Sequence, residues 1–157
     1  MKTEIGIPEK DLEEVATLLN TLLADEYVLY TKTRNAHWNV TGVNFFELHR
    51  LFESQYEVLD VMIDDIAERI RSLGHFAIGS LKDFLSITQM SEENHDFGNS
   101  RQIIQTLTND HETIIRIIRN DIIPISEKFR DLGTADFVTG IMERHEKMTW
   151  MLRSLVG

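Results

Sequence analysis

The stretch "GHFAIGSLKDFLSITQMSEENHDFGN", residues 74–99, decides the fold because of its length. Both flanks carry apolar residues at helical spacing. Links between neighbouring helices in a compact bundle usually take about 2–8 residues. This one is several times longer, so it can run the whole length of a bundle before the next helix starts. Within it, "SLKDFLS" (residues 80–86) reads as a short amphipathic helix with Ser80 as its N-cap.

On the N-terminal side, Leu12, Val15, Leu19, Leu22, Leu23 and Val28 keep a helical period from Pro8 to about Asn35. Pro8 suits a first turn, where a missing N–H costs nothing. A second helix is predicted from about Asn44 to Leu73, with Leu48, Phe52, Leu59, Ile63, Ile66 and Ile70 on one stripe and Gly74 as its stop. The link "NVTG" is short, so these two helices are antiparallel neighbours. On the C-terminal side, Ile104, Leu107, Ile114 and Ile118 mark a helix from about Ser100 to Ile123, bent or ended by Pro124. A last helix from about Thr134 carries Phe137, Ile141, Met148, Leu152 and Leu155. Two hairpins joined by one long crossover is the connectivity of ferritin-like bundles, whereas cytokine-type bundles use two crossovers. The predicted fold is therefore all-α, a ferritin-like four-helix bundle with one long crossover containing a short helix. Residues 1–157 are read as one domain.

Composition narrows the function. The 157 residues include 26 acidic and 16 basic ones, a formal net charge of −10. Such a surface attracts cations and repels phosphate backbones. There is no cysteine, which excludes disulfides and thiolate metal sites. The start "MKTEIGIPEK" lacks the apolar core of a signal peptide, and no apolar run is long enough to cross a bilayer. A soluble cytoplasmic protein without membrane contact is the expectation.

The second helix carries the chemistry. At about 100° per residue, His49, Glu53, Asp60, Asp64 and Glu68 fall within a sector of roughly 100°, beside the apolar stripe. Carboxylates alone on a helix are commonly just a solvated face. A histidine among them changes the balance. His49 with Glu53, and Asp64 with Glu68, are each one turn apart and able to grip one ion. Imidazole with carboxylate suits iron, zinc or manganese better than calcium. His49 and Asp64, however, lie about 22 Å apart on a straight helix and cannot share an ion within one chain. Two copies of this helix packed antiparallel about a two-fold axis, centred near Val58 and Leu59, would bring them together. His37, across the hairpin from His49, could join the same site. A di-iron site inside one bundle needs Glu-x-x-His motifs on two helices. The one such spacing here, Glu92 to His95, falls in the crossover. His111 and His145 lie on apolar stripes and read as hydrogen-bonded core histidines. His75 and His95 read as loop residues, Met62, Met142, Met148 and Met151 as packing, and Trp38 as an aromatic at a subunit contact.

"AHWNVTGVNFFELHRLFESQY" (residues 36–56), "DDIAERIRSLG" (residues 64–74) and "HEKMTWMLRSL" (residues 145–155) closely resemble the Dps proteins, or mini-ferritins. The resemblance covers nearly the whole chain and fixes residue types at five separated positions. It implies a hollow homo-dodecamer of four-helix subunits with ferroxidase sites at its two-fold interfaces. These would oxidise Fe(II) to Fe(III), preferentially with hydrogen peroxide, and feed a ferric mineral inside the shell. Carried over, His37, His49 and Glu53 of one subunit meet Asp64 and Glu68 of its partner as catalytic and metal-binding residues. Glu53 stands where many members have aspartate. The resemblance also puts the start of the last helix, with Asp131, Asp136 and Glu143, beside three-fold channels. Members that condense DNA commonly use a Lys/Arg-rich tail, which "MKTEIGIPEK" and "LRSLVG" do not provide, so DNA binding and nucleoid compaction stand as the alternative function.

Overall fold

The computed structural model describes residues 3–92 and 99–157, so His95 and its pairing with Glu92 lie outside the described residues. Six α-helices follow in order: α1 (Glu9–Asn39), α2 (Phe45–Ser72), α3 (Leu81–Ile87), α4 (Ser100–Ile117), α5 (Ile123–Lys128) and α6 (Leu132–Val156). A π-helical turn, Ile118–Ile122, joins α4 to α5. α1 packs chiefly against α2, and α4 against α6, giving two hairpins that face each other across one leucine- and isoleucine-rich core. This is the predicted ferritin-like connectivity, with the crossover carrying α3.

The helix ends follow from their residues. Glu9 and Asp11 place carboxylates in the first turn of α1, where the helix dipole favours them. α1 then runs four residues past the predicted end, because Ala36 and Val40 continue its buried stripe. That extension keeps His37 on the helix. α2 ends in a Schellman motif: Gly74 adopts φ 92°, its N–H reaches Arg71 O at 3.0 Å, and His75 N–H reaches Ile70 O at 3.3 Å. Ser80 caps α3 as predicted, accepting from Asp83 N–H at 3.2 Å. Pro124 does not end the third long helix. The wider π turn precedes it, and helix continues through the proline to Lys128.

The crossover is tied to α1 by three polar residues that sequence patterning does not single out. Asn20 accepts from Ile78 N–H at 2.9 Å. Asp25, fully buried, accepts from Thr88 Oγ1 at 2.7 Å and from Gln89 N–H at 2.6 Å. Lys32 donates to Ser91 O at 2.8 Å and pairs with Asp110 of α4 at 2.6 Å. Between these ties Phe84 stacks on Tyr27, ring centroids 4.5 Å apart. Burial raises the Asp25 carboxyl above its ordinary pKa, and the bonds from Thr88 and Gln89 pull it back.

Replacing Asp25 by Ala strands the Gln89 N–H and the Thr88 hydroxyl, and should cost about 1–3 kcal/mol of stability. Chemical denaturation measures this. A loss below about 0.5 kcal/mol would instead assign the docking of the crossover to the Tyr27–Phe84 stack.

Candidate metal centre

His37 sits in the last turn of α1 and His49 in the first turns of α2, with the turn at residues 40–44 between them. Gly42 takes φ 111° there, a left-handed conformation that glycine adopts without strain. The two imidazoles stack with centroids 3.8 Å apart and planes 20° from parallel. Each ring bonds the other's backbone: His37 Nδ1 lies 2.8 Å from His49 O, and His49 Nδ1 2.9 Å from His37 O. A carbonyl only accepts, so each Nδ1 carries the hydrogen. Each Nε2 is then left with a bare lone pair, the form in which a neutral imidazole binds a metal. The hairpin turn thus sets the tautomer of both histidines at once.

Glu53 follows His49 by one turn and is half-buried, whereas Asp60, Asp64 and Glu68 are exposed along the same helix. Their stripe lies beside that of Leu48, Phe52, Met62, Ile66 and Ile70, which point into the core. So the chain brings His37 and His49 into contact and Glu53 close by, but leaves Asp64 and Glu68 on the far half of α2. Among the described residues, no three histidine or acidic side chains converge closely enough to hold an ion.

Rings and one cation back the histidines. Tyr56 meets His37 edge-on, centroids 5.2 Å apart, and Phe45 lies 5.2 Å from the ring of His49. Arg34 lies over Tyr30, Trp38 and Tyr56 at 5.0–5.6 Å and donates to Tyr30 Oη at 2.7 Å. That bond is the main reason its guanidinium pKa is raised. Burial, and then the charge of Glu53, raises the Tyr56 phenol.

Near the expected centre of the two-fold pairing Leu59 is buried within its own bundle, and Val58 and Val61 are the exposed apolar residues. One expectation needs correction. Asp131 does not line a channel. It is buried, caps α6 by accepting from Thr134 N–H at 3.0 Å, and pairs with Arg69 at 2.8 Å. Asp136 and Glu143 are exposed.

Residues 16–157 match the family model of the ferritin-like domain. Over 155 residues the chain is 43% identical to an uncharacterized low temperature-induced protein of Nostoc, covering 99% of this chain and 87% of that one. It is 33% identical over 146 residues to DNA protection during starvation protein 2 of Bacillus anthracis, covering 92% and 98%. The crystal structure of a Dps protein from Vibrio cholerae superposes with a TM-score of 0.93 at 32% identity, over 100% of this chain and 98% of that one. The chain belongs to the Dps family. Dps from Thermosynechococcus elongatus gives a TM-score of 0.89 at 30% identity, covering 94% and 93%. The Vibrio Dps is described as a member of a broad superfamily of ferritin-like diiron-carboxylate proteins.

Sequence patterning passed over one more buried group in this Dps chain. His111 and His145 are hydrogen-bonded core histidines, as predicted, with Nδ1 atoms 2.8 Å apart. His145 Nε2 also meets Glu26 Oε1 at 2.7 Å, and all three residues are fully buried. The signal for Glu26 was a carboxylate inside the leucine-rich run "LLADEYVLY", residues 22–30.

The reciprocal bonds predict that the neutral rings of both His37 and His49 carry hydrogen on Nδ1 and none on Nε2. Long-range proton–nitrogen correlation spectra of the apo-protein test this directly. An Nε2–H tautomer on either ring would contradict the geometry.

Proposed function

We propose that this chain is the subunit of an iron-storing, iron-detoxifying mini-ferritin, a cytoplasmic homo-dodecamer in which residues 1–157 form one ferritin-like domain. Its substrates are Fe(II) and hydrogen peroxide, and its product is a ferric mineral held inside the shell. The observation that carries this is the stacked pair His37 and His49, whose Nε2 lone pairs are both left free by bonds to backbone. Glu53 completes that half of the site, and Asp64 and Glu68 of the partner subunit supply the other half across a two-fold axis. The about 22 Å between His49 and Asp64 on one helix calls for that second copy.

Apolar surface supports the pairing. Val58 and Val61 are 38% and 55% exposed between the two halves of the acidic stripe. With Met148 and Met151 of α6 they line an open groove of about 560 Å³. Burying such a patch favours association. The donor set fits the substrate: carboxylates bind Fe(III) more strongly than Fe(II), and so favour oxidation. Two Fe(II) consume one hydrogen peroxide and two protons to give two Fe(III) and two waters, which releases no hydroxyl radical. The imidazoles hold iron in place, and Glu53, Asp64 and Glu68 neutralise the added charge.

Incubating the apo-protein with Fe(II) and peroxide should give ferric absorbance faster than a protein-free control, and an electron-dense core. His49→Ala and Asp64→Ala should each abolish most of the activity. Co-assembled, the two variants should regain part of it, because one site of each mixed pair carries both lesions and the other none. A mixed assembly, verified by mass, that stays as inactive as its parents refutes the shared site.

The names of several relatives favour a second reading, protection of DNA by direct binding. Charge opposes it: twelve chains of −10 each would carry about −120. No gel shift with duplex DNA is expected at neutral pH and physiological salt. A robust, salt-sensitive shift would restore the DNA-binding reading.

A further inference from the structure

Glu26 of α1, His145 of α6 and His111 of α4 form a line through the middle of the bundle. The bonds are Glu26 Oε1 to His145 Nε2 at 2.7 Å and His145 Nδ1 to His111 Nδ1 at 2.8 Å. Each side chain is fully buried. Glu26 Oε2 and His111 Nε2, at the two ends, have no hydrogen-bond partner. The line spans a diagonal, since α1 packs beside α2 and α4 while α6 packs beside α4 and α2. It therefore joins the two hairpins through the core.

The geometry places one proton in each bond, one between Glu26 and His145 and one between the facing Nδ1 atoms. A neutral His111 keeps one bare ring nitrogen, either Nδ1 or the unpartnered Nε2. A further proton on His111 would bury an imidazolium whose Nε2–H has no partner, facing the ring of His145.

We propose that Glu26, His145 and His111 are a proton-operated latch, closed while His111 is neutral and released when it takes up one further proton, which loosens α4 and α6 from α1. The latch is independent of the metal centre. Other ionisable groups near it are already committed. On α1, Asp25 faces Thr88 and Gln89 of the crossover, and Lys32 pairs with Asp110 of α4. Gln55 of α2, which donates to Met148 O, does not titrate, and α6 adds the buried hydroxyl of Thr149, one turn after His145.

Burial, with His145 adding to it, holds the His111 pKa well below the ordinary histidine value of 6.5. The unfolded or opened chain binds the proton near that ordinary value. Stability is therefore fully present above about pH 6.5 and is lost as pH falls towards the folded value of His111. In that window the opening equilibrium should rise about tenfold per pH unit from this one proton.

Native-state amide exchange of α4 and α6, corrected for intrinsic rates, reads the effect in the wild type and in His111→Gln. Glutamine keeps an acceptor for His145 but cannot take the proton. The logarithm of the opening constant should climb with acidity one unit per pH unit less steeply in the variant, and its acid midpoint should move to lower pH. Equal slopes in the two proteins would overturn the latch. Should the variant fail to fold, nitrogen-15 titration of the wild-type histidines decides. His111 staying neutral until α4 and α6 lose protection supports the latch, and His111 protonating while they stay protected overturns it.

Discussion

An apolar core holds two helical hairpins together without saying how far one may slide along the other. Leucine and isoleucine of similar volume exchange places at small cost. Directional polar bonds do not tolerate a slide, because a buried donor or acceptor moved off its partner costs its full desolvation. In this chain such bonds are spread along the bundle. Arg69 of α2 meets Asp131 before α6, Glu26 of α1 meets His145 of α6, and Lys32 of α1 meets Asp110 of α4. A shift by one helical turn, about 5.4 Å, would break all of them together. The crossover obeys the same rule, since Asn20, Asp25 and Lys32 follow one another along α1 and hold its backbone at successive points.

Much of this was legible in the sequence, and the misses share a cause. Apolar spacing located every long helix, and the length of the crossover gave the connectivity. The Ser80 cap was visible because capping is a local pairing of residue types. Local pattern could not show that the carboxylate of Asp131 faces Arg69, a partner 62 positions away in the chain. It therefore read as a free acidic residue. Glu26 was missed for the same reason, its partner being 119 positions distant. Pro124 left two outcomes open, a bend or an end, and the π turn before it settles on a helix that continues.

At the candidate metal centre, sequence named the hairpin and the two rings that the structure stacks on each other. Residue types and the helical wheel sufficed for that. The protonation state of each ring was out of reach, because it depends on a backbone carbonyl 12 residues away. The cost of leaving Asp64 and Glu68 exposed is small, since hydrated carboxylates are stable on a helix surface. The two halves of the stripe therefore need no partner to fold. Membership of the Dps family adds solved relatives of the same shape to that picture.

The π turn at Ile118–Ile122 also bears on how the chain tolerates changes in length. Ile114, Ile118, Ile122 and Ser126, all buried, recur every fourth residue. A regular α-helix would carry the last of them about 120° round from the first. The wide turn absorbs that drift, in effect one residue more than an α-helix of the same length would hold. Deleting one residue between positions 118 and 122 would remove that surplus and allow a regular helix to form, with everything beyond it kept within about 20° of its present direction and Asp131 still on the side of Arg69. The segment is thus a phase-setter between two halves of one long helix, and the loss of a single residue should be tolerated there better than elsewhere along that helix.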